Sequence, residues 1–333
     1  MMPIPSRMRA VILKSFESQG LAVEQILVPA IKPGHVLVKM AAASINPSDL
    51  VFLKNRYGIK KPLPVVPGFE GSGTVVASGG GFYAGWLVNK RVACHAPEDG
   101  NGTWAEYLVA PTSTCTPLLK EVSLEQGASF MVNPLTAWTL LTIAREEGHQ
   151  AFVQTAAAGS VGRMMERLAR RWGLASINIV RRREQTELLK KEGAMHALDT
   201  SQTGWKDQLK VLCDHHAVHI AFDAVGGALT SEIAQAMPKG ARVIVYGALA
   251  GENCQISPRS LIYENKRLEG FWLTEWVKKQ TLWQKLRMVH GAQKLLSSDL
   301  KTDVQARFPL EKIQEAIELY KTKRTEGKVL LSL

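Results

Sequence analysis

The chain has 333 residues, of which 46% are hydrophobic and 21% charged, and a formal net charge of +11. That length exceeds one ordinary core, and that balance belongs to a globular protein of two domains rather than to a disordered chain. The longest apolar stretch, residues 128–141, is interrupted by Asn133, Pro134 and Thr136, so no membrane-spanning helix is expected.

The N-terminal stretch, Met1 to Arg9, has no apolar segment ahead of a cleavage site, so a secretory leader is not expected. The first half then reads as β-rich. Met8 to Lys14, Val36 to Ala42 and Arg91 to Cys94 run or alternate as strands, Gly68 to Val76 as a turn entering a strand, and prolines punctuate the segment. From about residue 127 strands and helices alternate. Strands are expected at Ala151 to Gln154, Ala175 to Val180, Ala194 to Leu198, His219 to Ala224 and Ala241 to Tyr246. Helices are expected from about 160, over Glu184 to Glu192, near Trp205 to Asp214 and over Ala228 to Ala236. Such alternation argues for a doubly wound parallel sheet. A helix, Glu311 to Lys323, and a last strand, Lys328 to Leu333, close the chain.

The most specific signal is the run Thr155-Ala156-Ala157-Ala158-Gly159-Ser160-Val161-Gly162 between the strand ending at Gln154 and the helix that follows. Met165, Leu168, Ala169 and Trp172 recur at helical spacing behind it. A turn of small residues lets the backbone approach a pyrophosphate, and the helix start supplies N–H donors and partial positive charge. Ala157 holds the first glycine position of G-x-G-x-x-G, with Gly159 and Gly162 at the other two. Beyond the next strand an acidic residue would accept from the ribose 2′-hydroxyl of NAD; this chain has Arg181-Arg182-Arg183 there, which suits a 2′-phosphate. The cofactor read from this pattern is NADPH.

The positive charge raises a nucleic-acid partner, but the basic residues are dispersed. Arg163, Arg167, Arg170 and Arg171 share one helix face, read as solvated. Neither a nucleic-acid nor a membrane partner is expected. Cys94, Cys115, Cys213 and Cys254 form no C-x-x-C pair and read as reduced, mostly buried thiols of a cytoplasmic protein. His215, His216 and His219 read as surface residues rather than metal ligands.

Motifs along nearly the whole chain resemble the medium-chain dehydrogenase/reductase superfamily. They are Ile45-Asn46-Pro47-Ser48-Asp49, Gly68-Phe69-Glu70-Gly71, Gly102 to Tyr107, Asn133-Pro134-Leu135-Thr136-Ala137, the glycine turn, and Gly327-Lys328-Val329. The resemblance implies an α/β protein with a GroES-like β-rich catalytic domain over 1–126, completed by 271–333, and a Rossmann NADPH-binding domain over 127–270. It also implies cofactor contacts from Thr136, Val225, Gly226, Tyr246, Gly247, Phe271 and Lys328, and a homodimer formed through the Rossmann sheets. The zinc ligands of the alcohol-dehydrogenase branch correspond to Asn46, Phe69 and Asn133 or Pro134, and one surviving carboxylate, Glu70, cannot make a catalytic zinc site. Zinc-free chemistry is expected, on an activated C=C bond or a quinone.

A closer resemblance is to the 2-enoyl thioester reductases of mitochondrial fatty-acid synthesis. It rests on Asn46-Pro47-Ser48-Asp49 with Asn55-Arg56-Tyr57-Gly58, on Ile177 to Arg181, and on Gly270 to Trp276. It implies a catalytic Tyr57, a catalytic Asn46 that hydrogen-bonds the substrate or the nicotinamide ribose, and an acyl pocket at Trp272 and Trp276. Arg56 intrudes before Tyr57, Phe69 replaces the usual Asn, and the glycine turn is closer to that of quinone reductases. An NADPH:quinone oxidoreductase therefore stands as the alternative, and an NADPH-binding protein with a nonenzymatic RNA-binding role as a minor one. A mitochondrial matrix location applies if the chain is a mature eukaryotic protein.

Overall fold

The computed structural model describes residues 4–16, 20–323 and 325–333; Met1 to Pro3, part of the stretch read for a leader, lie outside the described residues. The chain divides into two compact units: Met1–Pro134 with Gln293–Ser297 and Lys301–Leu333, and Leu135–Ala292 with Ser298–Leu300.

In the first unit, β1 (Arg7–Leu13) and β2 (Leu21–Leu27) form an antiparallel ribbon, and β3 (His35–Ser44) leads through α1 (Pro47–Leu53) to β4 (Glu70–Ser78). Next come α2 (Phe82–Leu87), β5 (Arg91–His95), β6 (Tyr107–Pro111), β7 (Cys115–Pro117) and α3 (Leu124–Gly127). The second unit holds α4 (Asn133–Glu146), β8 (Ala151–Thr155), α5 (Ser160–Trp172), β9 (Ala175–Val180), α6 (Arg183–Lys191), β10 (His196–Asp199) and α7 (Trp205–His215). It continues with β11 (Ile220–Asp223), α8 (Ala228–Ala236), β12 (Arg242–Val245), α9 (Pro258–Ile262), β13 (Arg267–Gly270), α10 (Leu273–Lys278) and α11 (Leu282–Gln293). The chain then returns to the first unit with β14 (Val304–Pro309), α12 (Ile313–Thr322) and β15 (Lys328–Ser332).

The first unit's larger sheet runs β14-β15-β3-β4-β5-β7, with β6 also paired to β3. One core packs β1, α1 and α12 around Trp104, Ile45 and Leu331; another lies under α2 around Val38, Val75 and Cys94. Cys94 and Cys115, distant in sequence, are directly paired across β5 and β7; both are free and buried. The second unit is a six-stranded sheet in the order β10-β9-β8-β11-β12-β13, parallel throughout. Its inner strands are buried on both faces, which explains their continuous apolar runs in the sequence. The order reverses between β8 and β11, the place where doubly wound sheets bind ligands.

The division differs from the expected one. Residues 271–292 stay with the second unit because α11 lies on α4. Thr139 Oγ1 donates to Met288 Sδ at 3.5 Å, and the Trp138 ring comes within 2.6 Å of where a Cβ on Gly291 would sit. The arginines of α5 also depart from the solvated face expected of them. Arg163 is paired with Glu192 and has a side chain only 15% exposed, while Arg167 Nε donates to the Asp299 carbonyl at 2.9 Å. Arg170 and Arg171 are exposed, Arg171 bonding Asp299. Among the described residues no helix is long and apolar enough to cross a membrane.

Candidate active site

In the second unit the turn after β8 is built for a close approach. Ala156 takes φ = 50°, and Gly159 caps α5 without any side-chain hydrogen bond to the first-turn amides. A Cβ on Gly162 would come within 2.5 Å of Ala157, so only glycine lets the helix start seat against the turn. Above Gly159 there is room: a Cβ there would meet only the Ala156 carbonyl, at 3.1 Å. The amides of Ser160, Val161 and Gly162 thus head a helix whose positive end is open to an anion. The turn is braced from beneath by a buried network. Gln154 Nε2 donates to the Gly162 carbonyl at 3.0 Å and to Asn178 Oδ1 at 2.6 Å, and Asn178 Nδ2 donates to Glu166 at 2.8 Å.

Arg181, Arg182 and Arg183 follow β9 directly and start α6; all three are exposed. Among the described residues, none of their guanidinium groups has a carboxylate partner. At the reversal between β8 and β11, Asp223 is fully buried and organises the far wall. It accepts from Thr155 Oγ1 at 2.8 Å, Val225 N at 2.8 Å, Gly226 N at 3.2 Å and Thr230 Oγ1 at 2.7 Å. Asp223 was not singled out from the sequence, and Thr155 only as the first residue of the small-residue turn; an Asp closing a strand just ahead of a glycine pair was the available signal. The next loop bonds to this one through Leu249 N to the Ala224 carbonyl at 3.0 Å, and Gly247 is needed because a Cβ there would lie 2.7 Å from that same oxygen. Val225, Gly226, Tyr246 and Gly247 are therefore brought together. Burial, reinforced by Asp223, pushes the Tyr246 phenol up, so it stays protonated. Thr136 is buried on the first turn of α4. Phe271 N donates to the Val245 carbonyl at 2.8 Å, Trp272 begins α10 at 37% exposure, and Trp276 is half-buried. The two tryptophans belong to the second unit, not to the first as their place after residue 270 suggested.

In the first unit Asn46, Asp49, Glu70 and Lys328 form a buried polar node. Asn46 has no exposure, and both its amide protons are used, toward Ser44 Oγ and Glu70 Oε1, each at 3.0 Å. Lys328 donates to Asn46 Oδ1 and stands 3.8 Å from Glu70. The two residues are thus joined, 282 positions apart. Asn46 orders this node, with no amide proton left for a substrate. Lys328, expected beside the cofactor, is 1% exposed within the same node. Burial pushes the Lys328 ammonium down, opposed by Glu70 and Asp49. Asp49 accepts from Asn46 N at 2.7 Å and Phe69 N at 3.0 Å, which fixes Phe69. Tyr57 is half-buried, its ring 4.8 Å from that of Phe69; His95 stacks on Phe69 at 6.4 Å. Burial and the neighbouring Lys61 push the His95 imidazole down, so it is neutral at neutral pH.

Desolvation pushes Asp49 up to about 7. The folded state therefore holds a proton that the unfolded chain releases near pH 4. The stability this contributes is complete below about pH 4 and gone above about pH 7. Melting temperatures of the wild type and Asp49→Asn, compared across that range, should show the wild type losing ground as pH rises; a constant difference contradicts this.

The superfamily's alcohol dehydrogenases carry zinc, so the fit of a metal matters. The matching positions hold Asn46, Phe69, Asn133 and Pro134, and an ammonium group, Lys328, already stands among the polar atoms. Among the described residues no three His, Cys, Asp or Glu side chains group as metal ligands. These residues do not fit a zinc ion. The histidines expected at the surface are partly so: His215 is exposed, while His216 Nε2 lies 3.0 Å from His196 Nε2. A dinucleotide, by contrast, fits the second unit on two counts, the open uncapped helix start and the arginines that have no ion pairs among the described residues.

Residues 32–120 match the alcohol dehydrogenase GroES-like domain, and residues 160–288 the family described as zinc-binding dehydrogenase. The chain is 30% identical to the Bos taurus mitochondrial enoyl-[acyl-carrier-protein] reductase over 82% of its own length and 74% of that protein's. It is 33% identical to the Arabidopsis thaliana protein of the same name, over 74% of this chain and 66% of that one. A solved structure from Mesorhizobium loti, provisionally named an NADPH:quinone reductase, is 39% identical with a TM-score of 0.91 over 100% of both chains. Fold, motifs and relatives define an oxidoreductase built from a GroES-like and a Rossmann unit. The chain belongs to the medium-chain dehydrogenase/reductase superfamily, within its enoyl reductase and quinone oxidoreductase-like part.

Proposed function

We propose that the protein is an NADPH-dependent, zinc-independent reductase of conjugated C=C bonds, with a trans-2-enoyl thioester as substrate. The observation that carries this reading is the set of three guanidinium groups, without carboxylate partners among the described residues, at the end of β9 beside the open start of α5. The dinucleotide's pyrophosphate belongs over Gly159 to Gly162 and its 2′-phosphate on Arg181 to Arg183. When bound, the cofactor supplies the hydride that reduces the β-carbon. The chain's own task is to orient the acceptor and stabilise charge on its oxygen. Tyr57 is the donor for that oxygen, or leads a proton to the α-carbon. Asp49 and Phe69 position it, and Asn46, Glu70 and Lys328 hold that frame rigid. Trp272 and Trp276 offer apolar surface to an acyl chain.

The bovine and Arabidopsis relatives support the thioester, and the Mesorhizobium loti relative supports the alternative, a quinone. Initial rates of NADPH oxidation with crotonyl-CoA and longer enoyl-CoA esters decide between them; turnover of quinones alone removes the thioester assignment. Tyr57→Phe should lower kcat roughly 10–100-fold with NADPH affinity unchanged. An unaltered kcat takes Tyr57 out of the mechanism.

The reading includes a homodimer. Strand β13 ends its sheet without an outer neighbour among the described residues, and Ile262 and Tyr263 stand 69% and 70% exposed just before it. Light scattering should give twice 36.6 kDa for the wild type and a monomer for Ile262→Glu with Tyr263→Glu; a monomeric wild type contradicts this.

A further inference from the structure

The geometry points to an anionic lipid-bilayer surface as the partner of helix α2, an interaction separate from the reductase chemistry. Three aromatic side chains stand outward on this single short helix: Phe82 at 94% exposure, Tyr83 at 45% and Trp86 at 49%. Its inward residues, Ala84 and Leu87, are buried in the core with Val38, Val75 and Val92, so the aromatic face is the side left over once the helix is seated. Tyr83 and Trp86 stack on each other at 5.6 Å and hold a common edge.

The helix projects. A Cβ on Gly80, Gly81 or Gly85 would meet nothing within 4 Å. Such an open aromatic face suits a deformable medium that it can enter. Phe is suited to the apolar side of such a boundary, and Tyr and Trp to its polar edge.

The two chain segments beside this face carry charge of one sign. Lys90 Nζ lies 5.3 Å from the Trp86 ring. Gly79 N donates to the His35 carbonyl at 2.9 Å and Gly34 N to the Gly80 carbonyl at 3.3 Å, which brings the Lys32 turn alongside. Lys32 and Lys90 are exposed, and neither 25–48 nor 71–97 contains an Asp or Glu. Exposed aromatics flanked by lysines on segments without acids complement anionic headgroups. The sequence suggested no membrane partner because Phe82, Tyr83 and Trp86 form no long apolar run; only the fold turns them to one side.

The test is co-sedimentation of the full-length chain with phosphatidylcholine vesicles, with and without phosphatidylglycerol. The expected result is binding about tenfold stronger to the anionic vesicles and weakened by salt. Phe82→Ser with Trp86→Ser should reduce binding about tenfold, at unchanged NADPH oxidation rate and circular dichroism. Lys32→Glu with Lys90→Glu, which leaves the aromatic face intact, should abolish the preference for anionic vesicles. Absence of vesicle binding overturns the proposal, as does binding indifferent to both double variants. So does self-association of the wild type that Phe82→Ser with Trp86→Ser dissolves while vesicles stay unbound.

Discussion

Replacing Arg181, Arg182 and Arg183 together by alanine is expected to weaken NADPH binding by about two orders of magnitude and to leave NADH binding within a few-fold. A hydrogen bond to a charged group contributes about 1.5–3 kcal/mol, so two guanidinium contacts to a phosphate dianion account for a loss of that size. The three side chains are exposed and carry no ion pairs among the described residues, so their removal leaves no buried charge behind and should cost little stability. Equal weakening of both cofactors, read by calorimetric titration, would mean that the arginines supply only a general positive field. Single substitutions then rank the three, with the largest KM increase for NADPH marking the residue that touches the phosphate.

The second large effect is expected at the buried node. Lys328→Met leaves the Glu70 carboxylate buried with no cation, held by Ser44 Oγ at 2.7 Å, Asn46 and the Val132 amide at 2.9 Å. Breaking one side of such a pair costs roughly 3–5 kcal/mol. For a unit of this size that lowers the melting temperature by about 10 °C. The double change Glu70→Gln with Lys328→Met removes both charges and should recover most of the loss, because replacing a buried pair is far cheaper than halving it. A double variant as unstable as the single one would show that the lysine's packing, not its charge, holds β15 against β3. This chain thus carries an ammonium group, tethered to a strand, inside the polar node, and the backbone of Phe69 beside Tyr57 is held by Asp49 of the same node.

The Rossmann half was readable in the sequence because its physics is local. β8, β9, β11 and β12 are buried on both faces, so their apolar runs are continuous, and α5 carries its buried residues at helical spacing. The strands that escaped reading are one-sided or frayed in pattern. Leu21–Leu27 has no fully buried position, and Val304–Pro309 is half-exposed along its length. Helix α4 was visible as an apolar stretch but not as a helix, because Asn133-Pro134 at its start reads as a break when it serves as the first turn. The glycine turn and the arginines could be recognised because a phosphate site is built from consecutive backbone. The Lys328–Asn46 contact could not, since it joins residues 282 positions apart whose burial depends on the assembled sheet. Asp223 escaped for the same reason: two of its four partners, Thr155 and Thr230, lie on other elements. Arg163 and Arg167 looked solvated by helix periodicity, yet their partners, Glu192 and Asp299, come from distant turns that close over the helix.

Cofactor choice in this protein is expected to depend on recognition of a phosphate ester by the guanidinium groups of Arg181, Arg182 and Arg183 beyond β9. Calorimetric titration of the purified wild-type chain with NADPH and, in parallel, NADH tests this most directly. NADPH should bind at least about tenfold more tightly, with the difference shrinking as salt is raised. Equal affinities, or a preference for NADH, would contradict it.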